Sequence, residues 1–489
     1  MKSDRWLWAI LVLGTSVRLF GLGERSLSYD ECQQFWASQG NVLTSNRTIT
    51  LDPPGFACLL HLHALAGRTE AWLRLLPCLF GILVIVAVYR LAVASTTDRW
   101  TARAAAFFIA LAPYPIRYSQ SLRVYSQAMF FAAALVAVFL DATNEEAPRR
   151  WRHALLLGLL TFASLLSVYG SVWLVLVMGI LLARRSLHER GRAWRQAFAG
   201  LAGGTALAVP WYLFSIPTQL SQGTPARFYE DKFLPPAFLP AVRFLVEGTR
   251  DLSAYFSFIL PWTGVLFGAL AVLGMVRIRR HRRGADLTLI FLGGLAAAVA
   301  ASAFRLYPYG GTRQMLFAAP LFYVLGAAGI ETLRHRLRGV PAAAVLVALA
   351  GGAGVFLYRY HTEPGGQEMR PVIRSLEEAA RPDDRILVNK DALPQFRFYY
   401  RGDPARVVAG QETVIGDYIS EVNRLMATAP QSRWWLVFSH GWKAERRREL
   451  AAVDSRFLAG QQYEAHQAAA YLFVPRTGIP ASAPDGSEP

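Results

Sequence analysis

The chain has 489 residues, of which 53% are hydrophobic and 17% are charged. Soluble domains usually carry about 25% charged residues, so this composition excludes an ordinary soluble protein and predicts one that is largely embedded in a membrane. The net charge of +17 does not indicate a nucleic-acid-binding protein, because the arginines lie in short clusters between apolar runs, as in membrane proteins that cross the bilayer many times.

Eleven apolar segments are candidates for membrane-spanning helices, which need about 20 mainly apolar residues. The first has a basic start but no convincing cleavage site, so we interpret it as a retained helix rather than a signal peptide. The segments lie near residues 6–23, 71–94, 102–116, 124–142, 154–168, 170–183, 196–215, 255–276, 286–304, 314–333 and 340–358. The predicted fold class is therefore a mainly α, polytopic membrane protein with about eleven transmembrane helices.

The connections between these segments predict the orientation of the chain. Starting from the first hairpin, alternate connections such as "STTDRWTAR", "RRSLHERGRAWR" and "RIRRHRRGAD" carry arginine clusters, which is typical of cytoplasmic loops. The opposite set contains the long loops 24–70 and 216–254 and carries its arginines singly. The N-terminus is expected inside and the residues after 358 outside. Because arginine greatly outnumbers lysine, as in proteins of GC-rich bacteria, the expected location is a bacterial inner membrane.

The composition changes after residue 358, where the membrane module 1–358 is predicted to end. "DDRILVN" and "SRWWLVFSH" indicate short buried strands, whereas "GDYISEVNRLMATA" and "KAERRRELAAVDSRFL" have helical spacing of apolar residues. Alternating strands and helices predict a small α/β domain over residues 359–476, on the periplasmic side. The Pro/Ser/Gly-rich residues 477–489 are expected to be a disordered tail.

The stretch "RSLSYDECQQFWASQG" places Asp30 and Glu31 directly outside the first predicted span. Ionisable residues near a membrane are rare unless they have a function. Phe35 and Trp36 could line one side of a short amphipathic helix here. Two interpretations stay open: the acids cap the helix that follows Ser28, since acids favour a helix N-terminus, or they take part in chemistry.

A second feature of the same external loop is Asp52 followed by Pro53 and Pro54. A proline pair disfavours helix before it and suits the first turn of a helix after it. A helix that starts at an external surface offers backbone N–H groups to an anion.

Two further external loops carry arginine and tyrosine where a plain turn would need no cation. One is "APYPIRYSQSLRVYSQAM", residues 112–129, and the other is "RLYPYGGTRQM", residues 305–315. Such residues are common as interfacial anchors, and they also suit an anion site. The candidates are Arg117, Tyr118, Arg123, Tyr125, Tyr309 and Arg313.

An acid, cations and a membrane cavity together suit the transfer of a sugar from a polyprenyl phosphate to an acceptor hydroxyl. The hydroxyl is a poor nucleophile and needs a carboxylate as general base. The departing phosphate needs arginine or a helix N-terminus to stabilise its charge.

The order of these motifs resembles the bacterial C-type glycosyltransferases, specifically the polyprenyl-phosphate-dependent protein O-mannosyltransferase and aminoarabinose transferase group. The motifs are "SL-x-x-DE", the proline pair, "LAP-x-x-I-x-YSQ-x-x-R-x-Y" and "Y-G-x-T-R", and the resemblance covers roughly residues 5–335. It implies the C-type (GT-C) architecture and a metal-independent reaction that inverts the sugar carbon. It also implies a polyprenyl-phosphate sugar as donor and a glycan, lipid or protein as acceptor, in contact with membrane lipids.

The resemblance assigns a role to each candidate residue. Asp30 would be the general base, with Glu31 tuning it or contacting the acceptor. Arg123 with Tyr125, and Arg313 with Tyr309, would lie near the donor phosphate. Many relatives have His or Lys where Asp52 stands, so either the arginines alone hold the phosphate or Asp52 serves the acceptor. Pro53, Pro54, Arg117 and Tyr118 are assigned to the acceptor or to support of the loops.

No metal or cofactor is expected, because His61 and His63 are two residues apart, whereas helical zinc pairs are three or four apart. Two other functions stay open. A transporter or flippase of a lipid-linked saccharide would place ionisable residues near the membrane midplane. A non-catalytic assembly protein would present the C-terminal domain to a partner.

Overall fold

The computed structural model describes residues 4–96, 98–144, 150–188, 192–221, 229–257, 261–336, 340–363, 365–412, 415–440 and 450–476. The chain divides into two compact units. The first, here called the membrane unit, is Met1–Gly23 with Gln34–Thr362; the second, the C-terminal unit, is Glu24–Gln33 with Glu363–Pro489. The predicted disordered tail 477–489 lies outside the described residues.

Helices dominate the chain as far as Thr362. In order they are α1 (Arg5–Leu19), α2 (Tyr29–Ala37), α3 (Val42–Ile49), α4 (Gly55–Ala64), α5 (Glu70–Thr96), α6 (Arg99–Leu111), α7 (Pro113–Ser119), α8 (Tyr125–Ala142), α9 (Arg150–Leu165), α10 (Ser171–His188), α11 (Arg192–Ser221), α12 (Phe238–Phe256), α13 (Pro261–Ile278), α14 (Arg282–Ala303), α15 (Ala319–Arg336) and α16 (Val340–Thr362). Short 3₁₀ helices cover Glu230–Lys232 and Arg313–Ala318.

Each of the eleven apolar segments predicted from the sequence overlaps one of these helices. Among the described residues, seven helices are long and apolar enough to cross a membrane: α5, α8, α10, α11, α14, the run Arg313–Arg336 that contains α15, and Ala344–Thr362 within α16. The other four segments correspond to the shorter helices α1, α6, α9 and α13. The mainly α, multi-spanning fold class is confirmed.

Buried polar groups and glycines join the helices of the membrane unit. The Arg18 guanidinium of α1 is fully buried and donates to the carbonyls of Ala110 (2.7 Å) and Ile109 (2.8 Å), in the last turn of α6. A cation inside a membrane protein needs such acceptors. Gly274 of α13 meets the backbone of α15 so closely that a Cβ there would collide with the Leu325 carbonyl, as is usual where membrane helices approach each other at small residues.

The C-terminal unit contains a five-stranded sheet with the order β2-β1-β3-β5-β4. Its strands are β1 (Arg385–Val388), β2 (Val407–Ala409), β3 (Trp434–Ser439), β4 (Phe457–Ala465) and β5 (Ala468–Pro475). Its helices are α17 (Met369–Ala379), α18 (Leu393–Tyr399) and α19 (Ile415–Thr428). β1 pairs in parallel with β2 and β3, whereas β5 pairs antiparallel with β3 and β4. Trp434 and Trp435 are both buried, on opposite faces of the sheet.

The two predicted strands are β1 and β3, and the predicted helix "GDYISEVNRLMATA" covers all of α19 except its first residue, Ile415. The predicted helix "KAERRRELAAVDSRFL" is wrong after Leu450, because residues 451–456 form turns and Phe457 begins strand β4. Residues 443–449 of that segment lie outside the described residues. The hairpin of β4 and β5 was not predicted.

Candidate functional site

Helix α2 carries the acidic pair and begins with reciprocal capping. The Ser28 backbone N–H donates to the Glu31 carboxylate (2.8 Å), and the Glu31 backbone N–H lies 3.4 Å from the Ser28 hydroxyl. This arrangement is a capping box, in which the third helical residue reaches back to the N-cap. Glu31 is 4% exposed, so its carboxylate stabilises the start of the helix. The capping interpretation therefore applies to Glu31, and Asp30 lies beside it in the first turn, half-buried.

Residues 24–33, which lead into α2, are bound by the rest of the C-terminal unit. Their partners are groups that lie more than 330 positions later in the chain. The Leu27 N–H donates to the Tyr399 hydroxyl (2.6 Å), the Gln395 amide donates to the Leu27 carbonyl (2.8 Å), the Ser26 hydroxyl donates to Glu368 (2.8 Å) and the Tyr29 N–H donates to Gln367 Oε1 (2.8 Å). Backbone and side-chain bonds together hold the segment that carries Asp30.

Three ionisable side chains share the surroundings of Asp30 within this unit. Burial raises the pKa of Tyr29 to about 12, and the charges of Asp391 and Asp30 add to the effect. Burial lowers the pKa of His440, which the same two carboxylates partly offset. Burial raises the pKa of Asp391, which His440 partly offsets. The acid in the first turn of α2 thus belongs to an interacting set of charges.

The proline pair starts α4 as the sequence predicts. Pro53 and Pro54 are buried, Pro54 is the N-cap, and the helix begins at Gly55. The Gly55 N–H donates to the Leu166 carbonyl (2.7 Å), which holds this helix start against the end of α9. Asp52, just before the prolines, forms an ion pair with Arg123 (3.2 Å).

The two arginines predicted to bind the donor phosphate, Arg123 and Arg313, lie near one tyrosine ring in the membrane unit. The guanidinium carbon of Arg123 lies 5.7 Å from the centre of the Tyr125 ring, and that of Arg313 lies 6.0 Å from it. Arg313 also donates to the Tyr229 hydroxyl (3.3 Å). Arg123 precedes α8 and Arg313 opens the 3₁₀ helix that packs against α8. Two loops nearly 200 residues apart therefore bring two cations to one place.

Several buried polar atoms that lie close to these arginines in the chain have no hydrogen-bond partner among the described residues. They belong to two short segments, 125–127 at the start of α8 and 312–314 around Arg313. They are the Tyr125 hydroxyl, Ser126 Oγ, Gln127 Oε1, Thr312 Oγ1 and Gln314 Oε1. Most buried polar side-chain atoms in proteins are hydrogen-bonded, so such a concentration indicates a place where a ligand supplies the missing partners.

The other predicted residues have different surroundings. The Tyr118 hydroxyl is 2.8 Å from the Tyr255 hydroxyl, and the Tyr118 ring packs edge-on against Tyr125 at 4.7 Å. Arg117 is exposed on α7. Tyr309 packs against α12, where its hydroxyl lies 2.9 Å from that of Thr249. The pairing of Tyr309 with Arg313 that the resemblance implied stays a prediction.

Sequence reasoning did not select Tyr255 and Tyr229, although both touch predicted site residues. Tyr255 stacks on Tyr114 with ring centres 3.8 Å apart, in addition to its contact with Tyr118. Both lie in or near the long loop 216–254, whose many aromatic residues have no spacing pattern that distinguishes these two. The predicted external position of the loop was the signal that could have pointed to them.

The described residues contain no group of three or more His, Cys, Asp or Glu side chains that could hold a metal ion. His61 Nδ1 donates to the Ser38 carbonyl (2.7 Å), and His63 Nε2 donates to the Trp72 carbonyl (2.7 Å). Both imidazoles are therefore used in local packing. The expectation that the protein needs no metal or cofactor stays a prediction.

Comparison with known proteins gives one family match and several structural matches. Residues 62–221 match the family model of dolichyl-phosphate-mannose-protein mannosyltransferases. The apo structure of ArnT from Cupriavidus metallidurans is similar with a TM-score of 0.59 at 15% identity, covering 96% of this chain and 97% of that one. The same protein bound to undecaprenyl phosphate gives 0.58 at 14% identity, covering 96% and 98%.

The archaeal oligosaccharyltransferase AglB from Archaeoglobus fulgidus, in complex with an inhibitory peptide and a dolichol-phosphate, gives a TM-score of 0.53 at 13% identity and covers 97% of this chain and 75% of that one. The chain matches none of the curated proteins in sequence. The structural similarity, at these low identities, shows that the chain shares the fold of ArnT and AglB. With the family match, it confirms the resemblance seen in the motifs and indicates a multi-pass membrane glycosyltransferase.

Proposed function

We propose that the protein transfers a sugar from a polyprenyl-phosphate donor to an acceptor hydroxyl at the external face of a bacterial inner membrane. The reaction would need no metal ion and would invert the sugar carbon. Two of the structural relatives support the donor class, since one is bound to undecaprenyl phosphate and the other to a dolichol-phosphate. The acceptor would be a glycan, a lipid or a protein.

The observation that carries the proposal is the convergence of Arg123 and Arg313 on Tyr125, among buried polar atoms that lack partners in the described part of the chain. Arginine matches phosphate with paired donors and keeps its charge at any working pH. The hydroxyl and amide groups beside the two arginines suit the remaining phosphate oxygens and the sugar hydroxyls. The cluster therefore has the chemistry of a donor-phosphate site.

Asp52 gives this site a built-in counter-ion. Its carboxylate neutralises Arg123 at 3.2 Å, with both side chains mostly shielded from solvent. A donor phosphate that enters would compete with Asp52 for the same guanidinium. Asp52 would then be released toward the acceptor, or it would stay and weaken the hold on the donor.

The proposed reaction is a single displacement at the sugar carbon. The acceptor oxygen forms a bond to that carbon while the bond to the phosphate oxygen breaks. The proton of the acceptor hydroxyl passes to the Asp30 carboxylate, the general base that the family resemblance assigns. The electron pair of the broken bond stays on the polyprenyl phosphate, whose negative charge the arginines stabilise. One displacement inverts the configuration.

The orientation follows from the distribution of arginine. Clusters in alternate connections indicate that the N-terminus is cytoplasmic. The loops that contain Asp30, Arg123 and Arg313, together with the C-terminal unit, would then be periplasmic.

The proposal is tested by incubating purified, reconstituted protein with a panel of radiolabelled polyprenyl-phosphate sugars and with membranes of the source organism as acceptor. We expect label to leave one donor and to appear in an acceptor fraction. Absence of transfer from every donor in the panel, with donor moved intact between leaflets, would support the transporter instead.

A further inference from the structure

The sheet of the C-terminal unit has a feature that marks ligand sites in α/β folds. β1 and β3 are parallel neighbours, and β2 lies on the other side of β1. The chain therefore leaves β1 in one direction to reach β2 and returns across β1 to reach β3. Open parallel sheets bind ligands outside the carboxyl ends of the strands at such a reversal of order.

The chain's own residues 24–33 are bound beside this reversal point. Asp391 follows the end of β1 by three residues, and His440 directly follows β3. The ring of Tyr29 packs edge-on against the His440 ring, with centres 5.3 Å apart. Gln367 joins the two: its Oε1 accepts from the Tyr29 N–H (2.8 Å), and its Nε2 donates to His440 Nε2 (2.8 Å).

The geometry of Gln367 constrains the imidazole. Because its oxygen is used by Tyr29, its amino group faces His440, whose Nε2 must accept. His440 Nδ1 lies 3.1 Å from the Ser439 hydroxyl. A neutral imidazole satisfies both contacts, and protonation at Nε2 would break the bond to Gln367. The start of α2, which contains Asp30, is thus hydrogen-bonded through one amide to an imidazole.

His440 is also held in a strained backbone conformation. Its φ is +66°, in the left-handed region that residues other than glycine seldom adopt. Its backbone N–H donates to the Gln467 carbonyl in the turn between β4 and β5 (3.0 Å). Strain of this kind is concentrated at functional sites.

Electrostatics supports the same connection. The carboxylates of Asp391 and Asp30 raise the pKa of His440, against the effect of burial. Lys390, in the same loop as Asp391, lowers the pKa of Asp391. The Tyr29 ring packs on the His440 ring. Coupling between two sites is reciprocal. The charge on His440 therefore affects the protonation of Asp30, the carboxylate to which the resemblance assigns the role of base.

We propose that His440 is a positioning residue for sugar transfer. Through Gln367 it fixes the first turn of α2 and therefore the position of Asp30. In this way the C-terminal unit contributes to the proton-transfer step. This inference rests on the proposed function.

The first test uses a pair of variants that keep or remove the acceptor atom. His440→Asn tolerates the left-handed backbone but is too short to reach Gln367, whereas His440→Gln presents an amide oxygen at about the position of Nε2. We expect His440→Asn to lower kcat about 10- to 100-fold, the effect of a misplaced catalytic group, with the donor KM unchanged. His440→Gln should recover most of the rate. His188→Asn is the control, because His188 is exposed and its Nδ1 bonds to the Arg184 carbonyl of the same helix.

Equal loss in both His440 variants, wild-type kcat in His440→Asn, or a rise in donor KM would each overturn the positioning role. A second measurement does not depend on turnover or on the stability of a His440 variant. The pH midpoint for modification of His440 by diethyl pyrocarbonate is followed by mass spectrometry in the wild type and in Asp30→Asn. We expect a downward shift of about half a pH unit when the Asp30 charge is removed, and an unchanged midpoint would contradict the coupling.

The two tests separate this inference from the proposed function. If the wild type shows no transfer but the modification midpoint shifts, the coupling exists and the reaction is wrong. If transfer occurs and both His440 tests fail, the proposed function stands without a role for His440.

Discussion

Replacing Arg123 by glutamine removes one of the two cations at the Tyr125 ring and also removes the ion-pair partner of Asp52. Replacing Arg313 by glutamine removes the other cation, with its bond to the Tyr229 hydroxyl, and leaves the Asp52 pair intact. The two variants therefore weaken the proposed phosphate site in different ways, and their comparison separates the cations from the counter-ion.

The expected magnitudes follow from these contacts. A hydrogen bond to a charged group contributes about 1.5–3 kcal/mol, which corresponds to about 10- to 150-fold in the Kd for polyprenyl phosphate. We expect a loss in this range for Arg313→Gln. In Arg123→Gln the uncompensated Asp52 also repels the phosphate. At an effective dielectric constant of about 20 and a separation of about 6 Å this repulsion is about 3 kcal/mol, which adds up to about 100-fold.

The assay is equilibrium binding of a polyprenyl monophosphate to the protein in lipid nanodiscs. The double variant Arg123→Gln/Asp52→Asn should recover the additional loss and bind about as well as Arg313→Gln. Arg305→Gln is the matched control, because Arg305 lies in the same loop as Arg313 with 55% of its side chain exposed and a pairing of 3.8 Å to Glu230.

Wild-type affinity in both single variants would refute the phosphate site. A double variant that binds no better than Arg123→Gln would refute the competition between Asp52 and the donor phosphate. It would leave the role of the two arginines in phosphate binding intact.

Three further outcomes are expected. Asp30→Asn should lower the transfer rate about 10²- to 10⁴-fold, the usual contribution of a general base, with donor binding unchanged; near-normal turnover would exclude Asp30 as the base. Treatment with EDTA should leave transfer unchanged, and a loss that Mg²⁺ or Mn²⁺ restores would contradict the metal-independent mechanism. Ser28→Ala should remove half of the capping box and destabilise the C-terminal unit by about 1 kcal/mol, lowering its unfolding temperature, whereas an unchanged temperature would show that this cap contributes nothing.

The membrane helices could be predicted because the bilayer sets their length and composition. An apolar run such as 71–94 has one structural solution in lipid, a helix, since every backbone group must be hydrogen-bonded within it. The N-terminal boundary of α2 was readable too, because Ser28 and Glu31 have the spacing of a capping box.

The β4–β5 hairpin could not be read from the sequence. Its turn is made by His466 and Gln467, and Gln467 adopts φ +53° without being glycine or asparagine, so the usual turn signal is missing. The following run from Ala468 is rich in alanine, which favours helix by itself. Burial of β5 between β3 and β4 decides the outcome.

The candidate site was predictable in its residue types but not in its contacts. The spacing of Arg123 and Tyr125 within one motif predicted an anion-binding loop, whereas the fold is needed to bring Arg313 to the same ring. The binding of residues 24–33 by groups such as Tyr399 and Gln395 joins positions more than 360 residues apart. No local pattern contains that information.

The most direct measurement of the central claim is the balance between donor cleavage and sugar transfer, catalysed by the wild type and by Asp30→Asn side by side in EDTA. We expect the wild type to release one polyprenyl monophosphate for each sugar that the acceptor gains. We expect Asp30→Asn to bind the donor and to release polyprenyl monophosphate far more slowly than the wild type. Equal release by both proteins, or a donor that is bound by the wild type and never cleaved, would contradict the central claim.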